Sequence, residues 1–142
     1  MAEVASETHY VSHHKKKIAF ILSAMRHFAD ELAADGWHVD YVRLIDSENT
    51  GELASEIARA AQRHSCASVV VTKPGEWRVL DPLVSLPEQH GLAVEVLDDD
   101  RFICSHNAFA NWADGRKQMR MEHFYREMRR KTGLLMDGDN PV

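Results

Sequence analysis

Between Ser12 and Asp35 the apolar residues Ile18, Ile21, Leu22, Met25, Phe28, Ala29 and Leu32 recur at three and four residues, which predicts one amphipathic helix with a single apolar stripe. Ser12 is the expected N-cap and Gly36 the expected stop. A stripe of that width needs a covering layer, and in a two-layer domain the usual layer is a sheet whose first strand precedes the helix. Only Ala2–Ala5 is available for that strand, so the chain reads as if it starts one element late.

The pattern then changes period. Trp37–Leu44 alternates and predicts a strand. Apolar residues at Leu53, Ile57, Ala60 and Ala61 predict a second helix over Glu52–His64. Ala67–Val71 is a continuous β-branched run of the kind found in parallel strands covered on both faces. Thr72-Lys73-Pro74-Gly75 breaks the chain, and Glu76–Gln89 returns to a helical pattern that Pro82 and Pro87 kink or divide. Leu92–Leu97 predicts another strand. Helices and strands in strict alternation predict an α/β fold with right-handed crossovers and an open parallel sheet over residues 1–104. From 105 to 142 the style differs: Asn107–Ala113 and Arg116–Thr132 predict two helices that leave the sheet domain, and Gly133–Val142 shows no closing element.

Charge adds one feature to this outline. The chain of 142 residues has a formal net charge of -5, yet Arg116–Lys131 holds seven basic residues against Glu122 and Glu127. That concentration permits one local basic face and argues against a polyanion-binding surface over the whole molecule. A solvated helix and a nucleic-acid face both remain open for it. Cys66 and Cys104 match no metal-ligand or redox spacing and read as free thiols of a reducing compartment. No signal sequence and no run of eighteen apolar residues is visible, which leaves the cytoplasm as the expected location and no membrane as partner.

Candidate chemistry gathers at two turns. His9, His13 and His14 invite a metal reading, but no third ligand lies near in sequence, and His and Lys at a helix start also suit an anionic group. The turn Thr72–Glu76 lies where a strand's carboxyl end meets a helix, the edge at which open α/β sheets bind ligands. There Gly75 allows close backbone approach, Glu76 accepts hydrogen bonds, and Trp77 offers a ring. Glu7 occupies the equivalent place after the Ala2–Ala5 stub, so the topology directs two carboxylates to one pocket. No nucleophile with an orienting partner, no P-loop and no GxGxxG is present, so bond-making chemistry within these residues is not expected. A stand-alone small-ligand or nucleotide-binding module is the alternative reading of the same edge.

Three blocks, HYVSHHKKKIAFILSAMRHFADEL, VTKPGEWRVL and GRKQMRMEHFYREMRRKTGLLMDG, together resemble the iron–sulfur bacterial cryptochromes and photolyases, the prokaryotic (6-4) photolyase-related family. The resemblance spans nearly the whole chain and corresponds to that family's amino-terminal antenna domain and the start of its linker. It implies a Rossmann-like domain that holds the light-harvesting chromophore 6,7-dimethyl-8-ribityllumazine, with Glu7, Tyr10 and Ile21 on one side of the pocket and Gly75 and Glu76 on the other. It implies FAD, a four-cysteine [4Fe–4S] cluster and contact with damaged DNA only in a larger parent, and no catalytic residue or metal ligand here. The family's first, central strand, with its Gly-Asp-Gln turn, has no counterpart after Met1. The expectation is therefore an antenna-domain fragment, inactive by itself, with two unpaired sheet edges and part of the Ile18–Leu32 stripe uncovered.

Overall fold

A computed structural model describes every residue except Asp139, which falls in the segment predicted as linker. Residues Met1–Glu95 and Val96–Val142 form two compact units.

In the first unit a short helix α1 (Ala5–His9) precedes the long α2 (Lys15–Ala34). The cap of α2 is His14 and not the expected Ser12: the His14 ring nitrogen Nδ1 accepts from the Lys16 amide at 3.1 Å, while Ser12 lies in the turn after α1. Gly36, at φ +91°, ends the helix as expected. After the loop come α3 (Leu53–Arg63), β1 (Ser68–Thr72), α4 (Trp77–Val84), α5 (Leu86–His90) and β2 (Ala93–Leu97). Pro82 lies inside α4 and Pro87 opens α5, so the two prolines divide the predicted 76–89 segment. β1 and β2 pair in parallel as a short open sheet, so the fold is mixed α/β with a Rossmann-like open sheet.

Ala61, Leu83, Leu86 and Leu92 form the buried centre of this unit, with Ile57, Val69, Val71, Val79 and Val94 packed against it. The expectation that β1 is covered on both faces is corrected: its residues alternate, with Val69 and Val71 inward and Val70 57% exposed, because helices α3, α4 and α5 supply a layer to one face. The α2 stripe is also only partly covered, with Ala29 buried but Ile21 44% and Phe28 52% exposed.

The predicted strand Trp37–Leu44 does not form. One parallel bridge pairs Val42 with Ala2, with Glu3 N donating to Val42 O and Val42 N to Met1 O, both at 2.9 Å. Beyond that pair the backbone donors turn to side chains, Arg43 N to the Asp46 carboxylate at 2.7 Å and Leu44 N to the Glu3 carboxylate at 2.9 Å, so no ladder propagates. The loop that follows is tied down by polar groups. Asn49 donates to the carbonyls of Glu3 and Arg43, and buried Glu56 on α3 accepts from Thr50 N at 2.6 Å while pairing with Arg59.

In the second unit α6 (His106–Ala113) and α7 (Met121–Thr132) meet through Phe109, Trp112 and Phe124, whose ring centroids lie 4.9 to 5.7 Å apart. Helix α7 starts later than the predicted Arg116, because Arg116 folds back onto α6, donating to the Trp112 carbonyl with its guanidinium 4.6 Å from the Trp112 ring centre. The tail does carry a closing element: β3 (Met136–Asp137) and β4 (Asn140–Pro141) pair antiparallel.

Leu86 is fully buried at the centre of the α3–α4–α5 cluster. Leu86→Ala is expected to lower unfolding free energy by about 2–5 kcal/mol in a denaturant titration, the range for a leucine cavity that relaxes incompletely.

Candidate functional site

The Glu3 side chain is sealed from solvent beside the Ala2–Val42 bridge. Its carboxylate receives Arg26 Nε at 2.6 Å and Nη2 at 2.9 Å from α2, the Tyr41 hydroxyl at 2.8 Å, and Leu44 N. The Arg26 contact is the main cause holding the Glu3 carboxyl at about 2 against the opposing effect of burial. Burial, then donation to Glu3, pushes the Tyr41 hydroxyl up to about 12.

Arg26 lies one residue beyond Met25 on α2, so this bond also orients the aliphatic face of the helix. Ile18, Ile21, Leu22 and Met25 wall a cavity of about 370 Å³. Glu7 and Tyr10 line it from α1 and the turn after it, and Leu53 and Val79 from α3 and α4. This is the size and composition of a small-molecule pocket, predominantly apolar with a few polar groups at the rim.

Of the five predicted site residues, Glu7, Tyr10 and Ile21 line that cavity together. Glu76 joins them indirectly. Arg78, in the first turn of α4, donates through Nη1 and Nη2 to both Glu7 oxygens at 2.6 and 3.0 Å, and through Nε and Nη2 to one Glu76 oxygen at 3.2 and 2.9 Å. Its guanidinium carbon lies 3.9 Å from the centre of the Tyr10 ring. The two carboxylates that the topology directs to one edge are thus joined by one cation, which their contacts drive further toward its charged form. Gly75 sits at the open turn before Glu76, where an added Cβ meets nothing within 4 Å. Trp77 is 71% exposed and lines neither this cavity nor the smaller one beneath Arg78.

Reading the sequence missed Arg78, Glu3, Arg26 and Tyr41. A signal existed for Arg78, since a cation in the first turn of a helix opposes the helix dipole and calls for carboxylate partners. None existed for Glu3, because a carboxylate in an extended segment looks like any exposed acid.

The three histidines turn to separate partners: His9 Nδ1 lies 2.8 Å from the Ala5 carbonyl, His13 Nδ1 3.3 Å from Lys17 Nζ, and His14 caps α2. Among the described residues no three His, Cys, Asp or Glu side chains gather as a metal site, and no helix is long and apolar enough to cross a membrane. In the basic segment, Arg126 pairs with Glu122 at 2.6 Å, and Arg116 and Arg129 donate to the carbonyls of Trp112 and Leu135, so part of its charge is used within the unit.

The first unit is thus an open-sheet α/β unit with a largely aliphatic cavity, and its sequence assigns the class. The chain belongs to the deoxyribodipyrimidine photo-lyase-related protein family, which it matches over residues 1–142. It is similar to a (6-4) photolyase of Agrobacterium fabrum (strain C58 / ATCC 33970), 51% identical over 142 residues, which is all of this chain and 28% of that relative. The chain therefore spans about 28% of the length of the curated relative it matches.

The Glu3 contacts carry a pH signature. Its folded value lies below the ordinary 4.5, so the stability it contributes is full above 4.5 and is lost as pH falls from 4.5 through about 2. Acid unfolding followed by circular dichroism is expected to lose this slope in Glu3→Gln, which also costs about 1–3 kcal/mol at neutral pH because the amide keeps one acceptor oxygen and turns a donor toward groups that donated to the other.

Proposed function

We propose that the first unit is the antenna domain of a photolyase- or cryptochrome-like flavoprotein and that its pocket binds 6,7-dimethyl-8-ribityllumazine. The observation that carries this reading is the cavity of about 370 Å³ between the α2 aliphatic face and the Glu7–Tyr10 rim, in a chain of the photolyase-related family. When bound, the lumazine supplies light absorption and excitation energy for a flavin elsewhere in the full-length parent. The residues present suit the group. Ile18, Ile21, Leu22 and Met25 offer an aliphatic wall against which a ring can pack, and Glu7 offers carboxylate oxygens that accept from ring N–H or ribityl O–H groups. Glu76 and Gly75 do not line the cavity; Glu76 acts through its link to Arg78, and Gly75 leaves its turn open.

No covalent chemistry is assigned to these residues. The sequence has two cysteines, which do not fit a four-cysteine [4Fe–4S] cluster, so that cluster, FAD and damaged DNA are assigned to the parent. The second unit is read as the helical linker toward the flavin domain, and the cell compartment as the cytoplasm.

Titration of the chain with 6,7-dimethyl-8-ribityllumazine, followed by absorption and fluorescence, is expected to give saturable binding that Glu7→Ala weakens about tenfold, equivalent to roughly 1.4 kcal/mol. Gly75→Ala is expected to leave the thermal transition unchanged, since its methyl meets no protein atom within 4 Å, and a drop in affinity in that variant would show the ligand reaching the Thr72–Glu76 turn. Absence of saturable binding by the unsubstituted chain would overturn the assignment, and nucleotide binding in its place would move the pocket to the stand-alone ligand-module class.

A further inference from the structure

Arg78 is placed where ordinary stability arguments do not favour it. It brings a positive charge to the first turn of α4, the end of a helix that repels cations. Its ion pairs are open to solvent, with side-chain exposures of 35% for Arg78, 39% for Glu7 and 60% for Glu76, and pairs so exposed contribute little to folding. Yet the geometry is closely specified. Four of its five N–H groups are committed, two to Glu7 and two to a single oxygen of Glu76, and the guanidinium rests on the Tyr10 ring. A fork of this shape fixes both carboxylates in a way that a lysine's point charge does not.

What remains unused defines what the arrangement can read. Arg78 takes one N–H bond at each Glu7 oxygen, and a carboxylate oxygen has room for a second. Glu76 Oε2 carries both of its contacts with Arg78, which leaves Oε1 free of them. Glu7 therefore offers the cavity oriented acceptor oxygens with their cationic partner already in place, and Glu76, which lines neither cavity, holds that cation from outside. Glu7 and Tyr10 belong both to the cavity of about 370 Å³ and to the smaller one of about 200 Å³, and Arg78 lines the smaller one alone, so it holds Glu7 without lining the main cavity.

We propose that Arg78 is a positioning residue that makes this pocket selective for a flat ring bearing an N–H donor on its edge, an imide-type heterocycle, over the same ring with that nitrogen alkylated. The selectivity arises because an oriented, partly desolvated acceptor left without a donor costs more than the donor bond gains. This rests on the chromophore reading given above and adds to it the chemical feature that the rim selects and the residue that enforces it.

The test uses two ligands, 6,7-dimethyl-8-ribityllumazine and its derivative methylated at the imide nitrogen, titrated into the unsubstituted chain, Arg78→Gln and Arg78→Lys, with absorption and induced circular dichroism as readouts. The unsubstituted chain is expected to favour the N–H ligand about tenfold or more. Arg78→Gln is expected to bring that preference to within about twofold with little change in the thermal transition, and Arg78→Lys to lie between the two. Equal weakening of both ligands with the preference intact would overturn the positioning role, as would an unsubstituted chain that binds both equally. An unsubstituted chain that binds neither ligand would overturn the chromophore reading and this one together, so the two failures are distinct. If Arg78→Gln does not fold, Glu76→Gln, which keeps the Glu7–Arg78 pair, is expected to narrow the preference in part, and an unchanged preference there would count against the proposal.

Discussion

A carboxylate removed from water at residue 3 obliges the chain around it to supply donors. Burying an ionised group is costly unless its oxygens are fully hydrogen-bonded, and Glu3 meets that requirement only when α2, Tyr41 and the Leu44 backbone are in place together. The requirement couples three segments that also bury Val4, Ala29 and Val42. Arg26 fixes the rotation of α2, which aims Ile18, Ile21, Leu22 and Met25 at the cavity. Tyr41 and Leu44 fix the path of a segment with one backbone bridge of its own. The pocket wall is thus set by an ion pair in the middle of the helix together with a stripe that is mostly half-buried, with Ile21 and Phe28 exposed.

Much of the element order was legible in the sequence because it follows from period and punctuation. The three-and-four spacing of α2, the β-branched run of β1, and the prolines that split α4 from α5 are local signals, and local structure follows them. Trp37–Leu44 shows the limit. Alternation describes how side chains would distribute on a sheet, but a strand exists only where a neighbour accepts its backbone, and here Arg43 and Leu44 direct their amides to Asp46 and Glu3. Ser12 met a different limit, since nothing in its identity reveals that His14 turns its ring onto the Lys16 amide.

The candidate site was half legible for related reasons. A strand-to-helix turn announces itself through Thr72–Gly75, and the position of Glu7 follows by topology, so both carboxylates were found. The cation between them was not, because an Arg on a helix is common and its partner is remote in sequence. What the structure adds is that the rim is already internally satisfied. Glu7 and Glu76 do not repel across an empty edge; Arg78 joins them, and Tyr10 supports Arg78 from beneath.

The contact between Glu7 and Arg78 closes a loop of 71 residues, far longer than those of the neighbouring helical contacts within α3, α4 and α5. Loop-closure entropy places such contacts late, after the local elements that carry their ends have formed. Arg78 reaches its site on α4, whose cluster around Leu86 can assemble from nearby segments, whereas Glu7 arrives with the Met1–His9 arm. The rim is therefore the seam between the helical cluster around Leu86 and the Met1–His9 arm, whose contact carries the larger loop-closure cost. A ligand bound across that seam would link its own occupancy to the docking of the arm in a single equilibrium.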